Sequence, residues 1–321
     1  MSKPLLSVII PVYNTQDFLE ECLETTIVND ERVQYIIVND GSIDNSSKII
    51  NRIAIGFSNV ILVNQRNKGL SEARNAGLRL VNSKWVTFVD SDDFMDKFRI
   101  QRIVDYLEKS DNCDLYSLPV MSYENGKRKV AQDCNDNHTI NEYIYRVMKG
   151  NFQIGVWSYV FRTEIIRNNH IFFDKGRLFE DKFFLPKYLK NISNVQSLPS
   201  NKVGYYYYRM RSNSITHKKM SLKKLTDWHD SGVYITDFFL KFKKLDSKTV
   251  FAINEYKIMI LFRTYIDLLK IGQKSDAESV KNEIKSFIKN SKTKFSFVSF
   301  SKIIIISIPT NLLSIFLNGD K

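Results

Sequence analysis

Short apolar runs, each closed by a turn and followed by a helical-period segment, constrain this chain most. Leu6–Pro11, Tyr35–Val38, Val60–Val63 and Trp85–Val89 are such runs. They suit strands buried on both faces of a parallel sheet. After the first, Asn14 or Thr15 can cap a helix in which Phe18, Leu19, Cys22 and Leu23 recur at helical spacing. After the second, Ser42 or Asp44 opens a helix through Ile49, Ile50 and Ile53, and Ser71–Val81 predicts another, with Ala73, Ala76, Leu78 and Leu80 as packing residues. This alternation predicts an α/β fold, a doubly wound, Rossmann-like and mostly parallel sheet flanked by helices. Ligands of such sheets bind beyond the carboxyl ends of the strands. Asp40 and the Asp90–Asp93 cluster stand at strand ends and are expected to face one crevice.

Three carboxylates within four residues, Asp90, Asp92 and Asp93, repel one another unless something positive is bound. Hard cations such as Mg²⁺ and Mn²⁺ bind through few carboxylates plus substrate phosphates. The plainer reading is a solvated turn in which Asp93 caps a helix starting at Phe94. Asp40 lies in Asn-Asp-Gly, a hairpin-turn sequence, but Ser42–Ser47 opens a helix instead of a return strand. A carboxylate there can accept an N–H from a base such as uracil. No GxGxxG follows the first strand and no GxxxxGK[ST] occurs, which argues against dinucleotide and P-loop folds.

Composition narrows the class further. The 321 residues are 43% hydrophobic and 26% charged, with 12 Gly and 6 Pro, enough to bury a core and unlike a disordered chain. Three cysteines, Cys22, Cys113 and Cys134, without CxxC spacing, fit a reducing compartment rather than a disulfide framework. The first apolar run is short and flanked by Pro4 and Pro11, unlike a signal peptide, so a cytosolic protein is expected. The net charge is +12; residues 1–110 carry 13 Lys and Arg against 15 Asp and Glu, and the remainder 34 against 20. Such a basic half suits nucleic acid, anionic lipid or a phosphorylated substrate, or simply a solubilising surface.

SVIIPVYN (7–14), VNDGSIDNS (38–46), NKGLSEARNAGL (67–78) and FVDSDD (88–93) occur in this order and together resemble the family 2 glycosyltransferases. The resemblance implies a GT-A fold and inversion at the anomeric carbon. It extends more weakly to Trp157, to Glu180-Asp181 and to Arg209, Arg211, Ser214 and His217, and fades beyond about residue 220.

It also implies roles. Pro11 and Tyr13 would shape the nucleotide pocket wall, Asp40 would read the base, and Arg74 would lie near the donor diphosphate. Asp90 would contact the donor or share the metal, while Asp92 would ligate Mn²⁺ or Mg²⁺ as in a DxD motif. Asp181, beside Glu180, would be the general base, and Trp157 would line the acceptor site. Arg209, Arg211 and Ser214 would close over the diphosphate, with His217 a further metal contact. Residue chemistry agrees, since a departing diphosphate needs a cation and Arg, and an acceptor hydroxyl needs a base. Trp157 reads equally well as core; for Glu180-Asp181 an acidic helix start is the lesser reading. Arg209 and Arg211 follow a Tyr run that reads as a strand, so alternation puts both on one face.

The expected organisation is a GT-A domain over 1–217, with a nucleotide-sugar half at 1–110 and an acceptor half at 111–217. A helical, basic region follows over 218–321, with 19 Lys and Arg against 10 Asp and Glu. Helical patterns run through Leu225–Phe242 and Ala252–Ile271. Residues 281–294 hold five lysines, and the apolar stretch Phe295–Leu317 after them contains Lys302 and Pro309. This pattern suits interfacial attachment to the cytoplasmic face of the cell membrane, or an ordinary packed helix pair.

The expected enzyme moves one hexosyl or N-acetylhexosaminyl unit, from a UDP-sugar by preference, to a glycan or polyprenyl-diphosphate-linked acceptor, with no nucleic-acid partner. The competing readings are a sugar-1-phosphate nucleotidyltransferase, which would need a Gly-rich loop that PVYNTQ lacks, a nucleotide-sugar binder without transfer, and a basic nucleic-acid-binding protein.

Overall fold

The computed structural model describes residues 3–110, 113–134, 136–211, 221–291, 295–310 and 313. Strand β1 (Leu6–Val12) is buried along its whole length, as its unbroken apolar run requires. It is followed by α1 (Gln16–Thr26), β2 (Val33–Asn39), α2 (Ser46–Ala54), β3 (Val60–Asn64), α3 (Leu70–Leu80) and β4 (Trp85–Phe88). β2 and β4 flank β1 in parallel, with Ile9 level with Ile36 on one side and with Phe88 on the other. β3 extends the sheet beyond β2. The predicted alternation is therefore the observed one.

Helix α3 buries two of its expected packing residues, Ala73 and Leu78, and departs from expectation at the others. Leu80 is 43% exposed, whereas Ser71, Arg74 and Asn75 are buried. The inward face of α3 is mixed: Arg74 reaches carboxylates, while Ala73, Gly77 and Leu78 are buried beside it.

Next come β5 (Phe94–Met95), α4 (Arg99–Lys109), β6 (Leu115–Ser117), β7 (Val120–Glu124), β8 (Lys127–Gln132), β9 (His138–Thr139) and α5 (Ile140–Met148). Then follow β10 (Tyr159–Arg162), α6 (Thr163–Asn168), α7 (Asp181–Leu189), β11 (Asn194–Ser197), α8 (Ser200–Val203) and β12 (Tyr206–Arg209). The main sheet runs β3-β2-β1-β4-β10-β6-β11-β9, and β10 pairs antiparallel with both β4 and β6. The parallel half thus continues into a mixed half. A second sheet, β5-β12-β7-β8, sets β12 parallel to β7 and antiparallel to β5.

The core under the main sheet gathers Leu6, Val8, Ile10, Leu19, Leu23, Tyr35, Ile37, Trp85, Ile103 and Val104. Each fully buried aliphatic side chain there contributes about 1.5–3 kcal/mol relative to exposure. Cys22, Cys113 and Cys134 are free thiols, and all three are buried.

The chain divides into two compact units, residues 1–143 with 151–218, and residues 144–150 with 219–321. The second unit holds α9 (Leu222–Phe239), α10 (Ser247–Lys270), α11 (Lys274–Asn290) and α12 (Phe297–Ser307). Its core includes Leu225, Ile258, Leu261, Tyr265, Leu268 and Ile284. Ser221 and Asp246 cap α9 and α10 by accepting from Lys224 and Thr249 N–H groups. No helix of the described residues is long and apolar enough to cross a membrane.

His229 on α9 ties α9 to α11 through Glu283, Nε2 to Oε2 at 3.0 Å. Burial by itself would lower this imidazole's pKa, but the hydrogen bond and charge of Glu283, with Asp230, raise it above its ordinary value. A raised folded-state pKa stabilises below the unfolded pKa and is lost as pH rises through the folded one. His229→Gln is expected to cost on the order of 1 kcal/mol at pH 5.5 and nothing at pH 9, read from urea melts at both pH values. An equal cost at both would assign the contact to packing alone.

Candidate active site

The acidic turn begins where β4 ends. The Asp90 N–H donates to the Tyr206 hydroxyl at 3.1 Å, and that hydroxyl donates to Asp93 Oδ2 at 2.6 Å. The Arg209 N–H donates to Asp93 Oδ1 at 2.7 Å. Asp93 is 1% exposed and fully engaged, so it anchors β12 to the turn and does not cap a helix. Burial, then the charges of Asp92 and Asp90, raise its pKa well above the ordinary carboxylate value. Asp90 and Asp92 keep side chains 21% and 23% exposed. Tyr206 is therefore part of the site. Its only sequence signal was membership of the Tyr run.

Arg211 pairs with Asp92 Oδ2. Burial and the neighbouring Asp90 raise the Asp92 pKa, against which Arg211 works. Arg209 donates to the Asp92 carbonyl at 2.9 Å and to Glu21 at 2.6 Å. Both guanidinium groups lie over the Phe18 ring, so the two arginines share a face. Arg209 lies over Phe94 as well, which commits it to the frame. Ser214 and His217 lie outside the described residues.

Asp40 is 2% exposed at the end of β2. Its Oδ1 accepts from Gln65 Nε2 at 2.6 Å and the Lys68 N–H at 2.9 Å, and its Oδ2 accepts from the Gly69 N–H at 2.8 Å. The structure gives this carboxylate protein donors and makes it the clasp of the 65–69 loop. Gln65 had no signal in the sequence, since the contact joins two strand ends 25 residues apart. Pro11 is buried in β1, while Tyr13 and Ile43, 45% and 88% exposed, form the rim beyond the strands. The rim loops are stitched together: Ile43 N–H to Asn14 Oδ1 at 2.9 Å, Asn14 N–H to Ser42 Oγ at 3.2 Å, and Gln16 N–H to Asp44 Oδ2 at 3.0 Å.

Arg74 is 1% exposed. Its Nη2 meets Asp90 Oδ1 at 2.7 Å, and its Nη1 meets Asp181 Oδ1 at 3.1 Å and also Glu180 Oε1. The acidic pair is presented by the start of α7, where Asp181 is the first helical residue. Burial raises the Asp181 pKa well above the ordinary value; Arg74 opposes this, while Glu180 and Asp90 reinforce it. A carboxylate so placed is a stronger proton acceptor than a free one, provided it is ionised. One guanidinium thus joins acids that are 91 residues apart in sequence.

Trp157 is 7% exposed and stacks on Tyr206 at 5.0 Å and Tyr208 at 5.4 Å, each within 8° of parallel. Its packing connects it to the acidic turn through Tyr206. Gly155 makes room for the indole, because a Cβ there would sit 2.5 Å from a ring carbon. Gly155→Val is expected to destabilise by about 1–3 kcal/mol in urea unfolding. Unchanged stability would mean that the indole has another seat.

No group of three or more His, Cys, Asp or Glu among the described residues is gathered to hold a metal. The donors present nonetheless fit a hard divalent cation. Asp90 and Asp92 each give one oxygen to an arginine, which leaves the other for a cation completed by substrate phosphates.

The model of "Glycosyl transferase family 2" matches residues 7–168, just over half of the chain. The uncharacterized glycosyltransferase EpsJ of Bacillus subtilis is 28% identical over 221 residues, 66% of this chain and 63% of EpsJ. The minor teichoic acid biosynthesis protein GgaA of the same organism is 26% identical over 282 residues, 83% of this chain and 62% of GgaA. The chain therefore spans less than two thirds of either relative. The crystal structure of S. aureus TarS 1–349 in complex with UDP-GlcNAc superposes with a TM-score of 0.67 at 19% identity, covering 89% of this chain and 81% of that one. The fold is thus that of TarS, with a mixed central sheet and a helical C-terminal region. The four motifs of the parallel half and the match over residues 7–168 agree, and this chain is a glycosyltransferase that belongs to family 2.

Proposed function

We propose that this glycosyltransferase moves a single sugar, with inversion, from a UDP-sugar to a hydroxyl of a bacterial cell-surface glycan or a lipid-diphosphate-linked precursor. The observation that carries the reading is the meeting of Asp90 with Glu180 and Asp181 on one buried guanidinium. Donor-side and base-side acids lie within one side chain's reach. TarS, crystallised with UDP-GlcNAc, supports the uridine donor, and GgaA, named for teichoic acid biosynthesis, supports the cell-surface acceptor.

In this reading the nucleotide lies along the rim of Tyr13 and Ile43, with its base beside the Asp40-clasped loop. Asp90 and Asp92 would hold Mn²⁺ or Mg²⁺, which when bound neutralises charge on the departing diphosphate. Arg211, from the far side of Asp92, adds a further positive charge there. Asp181 takes the proton of the acceptor hydroxyl as its oxygen bonds to the anomeric carbon. The bond from that carbon to the diphosphate oxygen breaks, and its electron pair leaves with the nucleotide. One base and one in-line displacement give inversion. Attachment to the anionic cytoplasmic leaflet belongs to the same reading. Lys285 and Lys289 on α11 are exposed, as are Ile304 on α12 and Ile308 just after it.

The test is nucleoside-diphosphate release from UDP-, GDP- and dTDP-sugars, with Mn²⁺ and with EDTA. Release from one UDP-sugar, abolished by EDTA, is the expected result. Turnover of a GDP- or dTDP-sugar alone would overturn the uridine assignment, and turnover undiminished by EDTA would overturn the metal role.

A further inference from the structure

Arg74 occupies a place that a phosphate-gripping arginine would not. Its guanidinium faces protein carboxylates, Asp90 at 2.7 Å, Asp181 at 3.1 Å and Glu180, and its carbon lies 5.3 Å from the Phe173 ring centroid. That ring is itself pinned from α3: the Phe173 N–H donates to Asn75 Oδ1, and the Phe173 carbonyl accepts from Asn75 Nδ2, both at 2.9 Å. Two neighbouring residues of α3 therefore lock the segment leading to the acidic pair. The helix is held close to the sheet, since a Cβ on Gly77 would lie 2.5 Å from Ile9 Cγ2. A guanidinium is a rigid planar fork, and with one nitrogen on each of two carboxylates it sets their spacing.

We propose that Arg74 is a positioning residue for Asp181, holding the base at a fixed distance from Asp90 rather than binding the donor diphosphate. This rests on Asp181 being the base, the reading given above. The fork makes one rigid unit of α3, the acidic turn and the start of α7. A base displaced by about 1 Å costs on the order of 100-fold in rate even when every catalytic group is present.

The test compares Arg74→Lys and Arg74→Met with wild type for UDP affinity in Mn²⁺, for kcat and KM of UDP release, and for thermal unfolding. The expected result is UDP affinity within about threefold of wild type, KM little changed and kcat down by about 100-fold. Arg74→Lys should recover only part of the rate, because a single ammonium nitrogen lacks the rigid fork that fixes the spacing of the two carboxylates. Added guanidinium ion should restore turnover to Arg74→Met and not to Asp181→Asn, a rescue that a merely structural role would not give. If Arg74→Met does not fold, the double variant Arg74→Met/Glu180→Gln removes the excess charge, and Arg74→Lys still gives the split between kcat and KM. UDP affinity falling in step with kcat would overturn the proposal and return Arg74 to the diphosphate, as would an unchanged kcat. Failure of the underlying reading is seen separately, as full turnover by Asp181→Asn.

Discussion

Asp181→Asn removes transfer and leaves donor binding intact: kcat for nucleoside-diphosphate release falls by about 10²–10⁴-fold, while UDP affinity stays at the wild-type value. The substitution keeps shape and a carbonyl that can still accept from Arg74, and removes the charge and with it the ability to take a proton. Because burial, Glu180 and Asp90 outweigh Arg74 and raise the Asp181 pKa, the wild-type rate should fall with acid at a pH above the ordinary carboxylate range near 4. The sign is direct, since the protonated acid cannot act as a base. The variant should lose that acid limb along with the rate. Wild-type turnover by Asp181→Asn would remove Asp181 from the role.

Asp92→Asn acts on the donor instead. UDP affinity in Mn²⁺ should fall by about 10–100-fold, and in EDTA the deficit should disappear, the variant then binding at least as well as wild type. Two effects oppose each other here. The carboxylate is lost as a hard-cation ligand, and Arg211 is released from its ion pair to face the diphosphate. The first dominates because a divalent cation between carboxylate and phosphates carries twice the charge of the arginine. Calorimetry of UDP with and without Mn²⁺ separates the two, and equal affinities with metal would exclude Asp92 as a ligand.

The parallel half was readable because its information is local. Apolar runs predict β1, β2, β3 and β4 within one or two residues at each end, and their order alone implies a crevice at the carboxyl ends. Two helices of the second unit, α9 and α10, were readable from the 3.6-residue period, with starts set three and five residues late, whereas α11 was not read as a helix. The site was readable as residue types and not as partners. Asp93 looks like its neighbours Asp90 and Asp92, yet Tyr206 and Arg209, more than 110 residues later, take both its oxygens. Leu80 reads as packing and is 43% exposed, and Arg74 reads as a neighbour of the donor diphosphate but is buried against three carboxylates that come from distant parts of the chain. Trp157 left two readings open, and the stacking on Tyr206 and Tyr208 is a contact no spacing in the sequence encodes.

The three buried thiols have a practical consequence. Burial raises the pKa of Cys22 far above its ordinary value, with Asp93 and Asp92 adding to it, and burial raises Cys113 and pushes Cys134 up to about 11. At neutral pH they remain protonated and shielded, so maleimides and oxidants find little to attack. The native chain is therefore a dark background for labelling. Ile43→Cys, at the 88% exposed rim, would supply one reactive sulfur to which a fluorophore could be coupled, turning donor arrival into an optical signal without any other cysteine having to be removed.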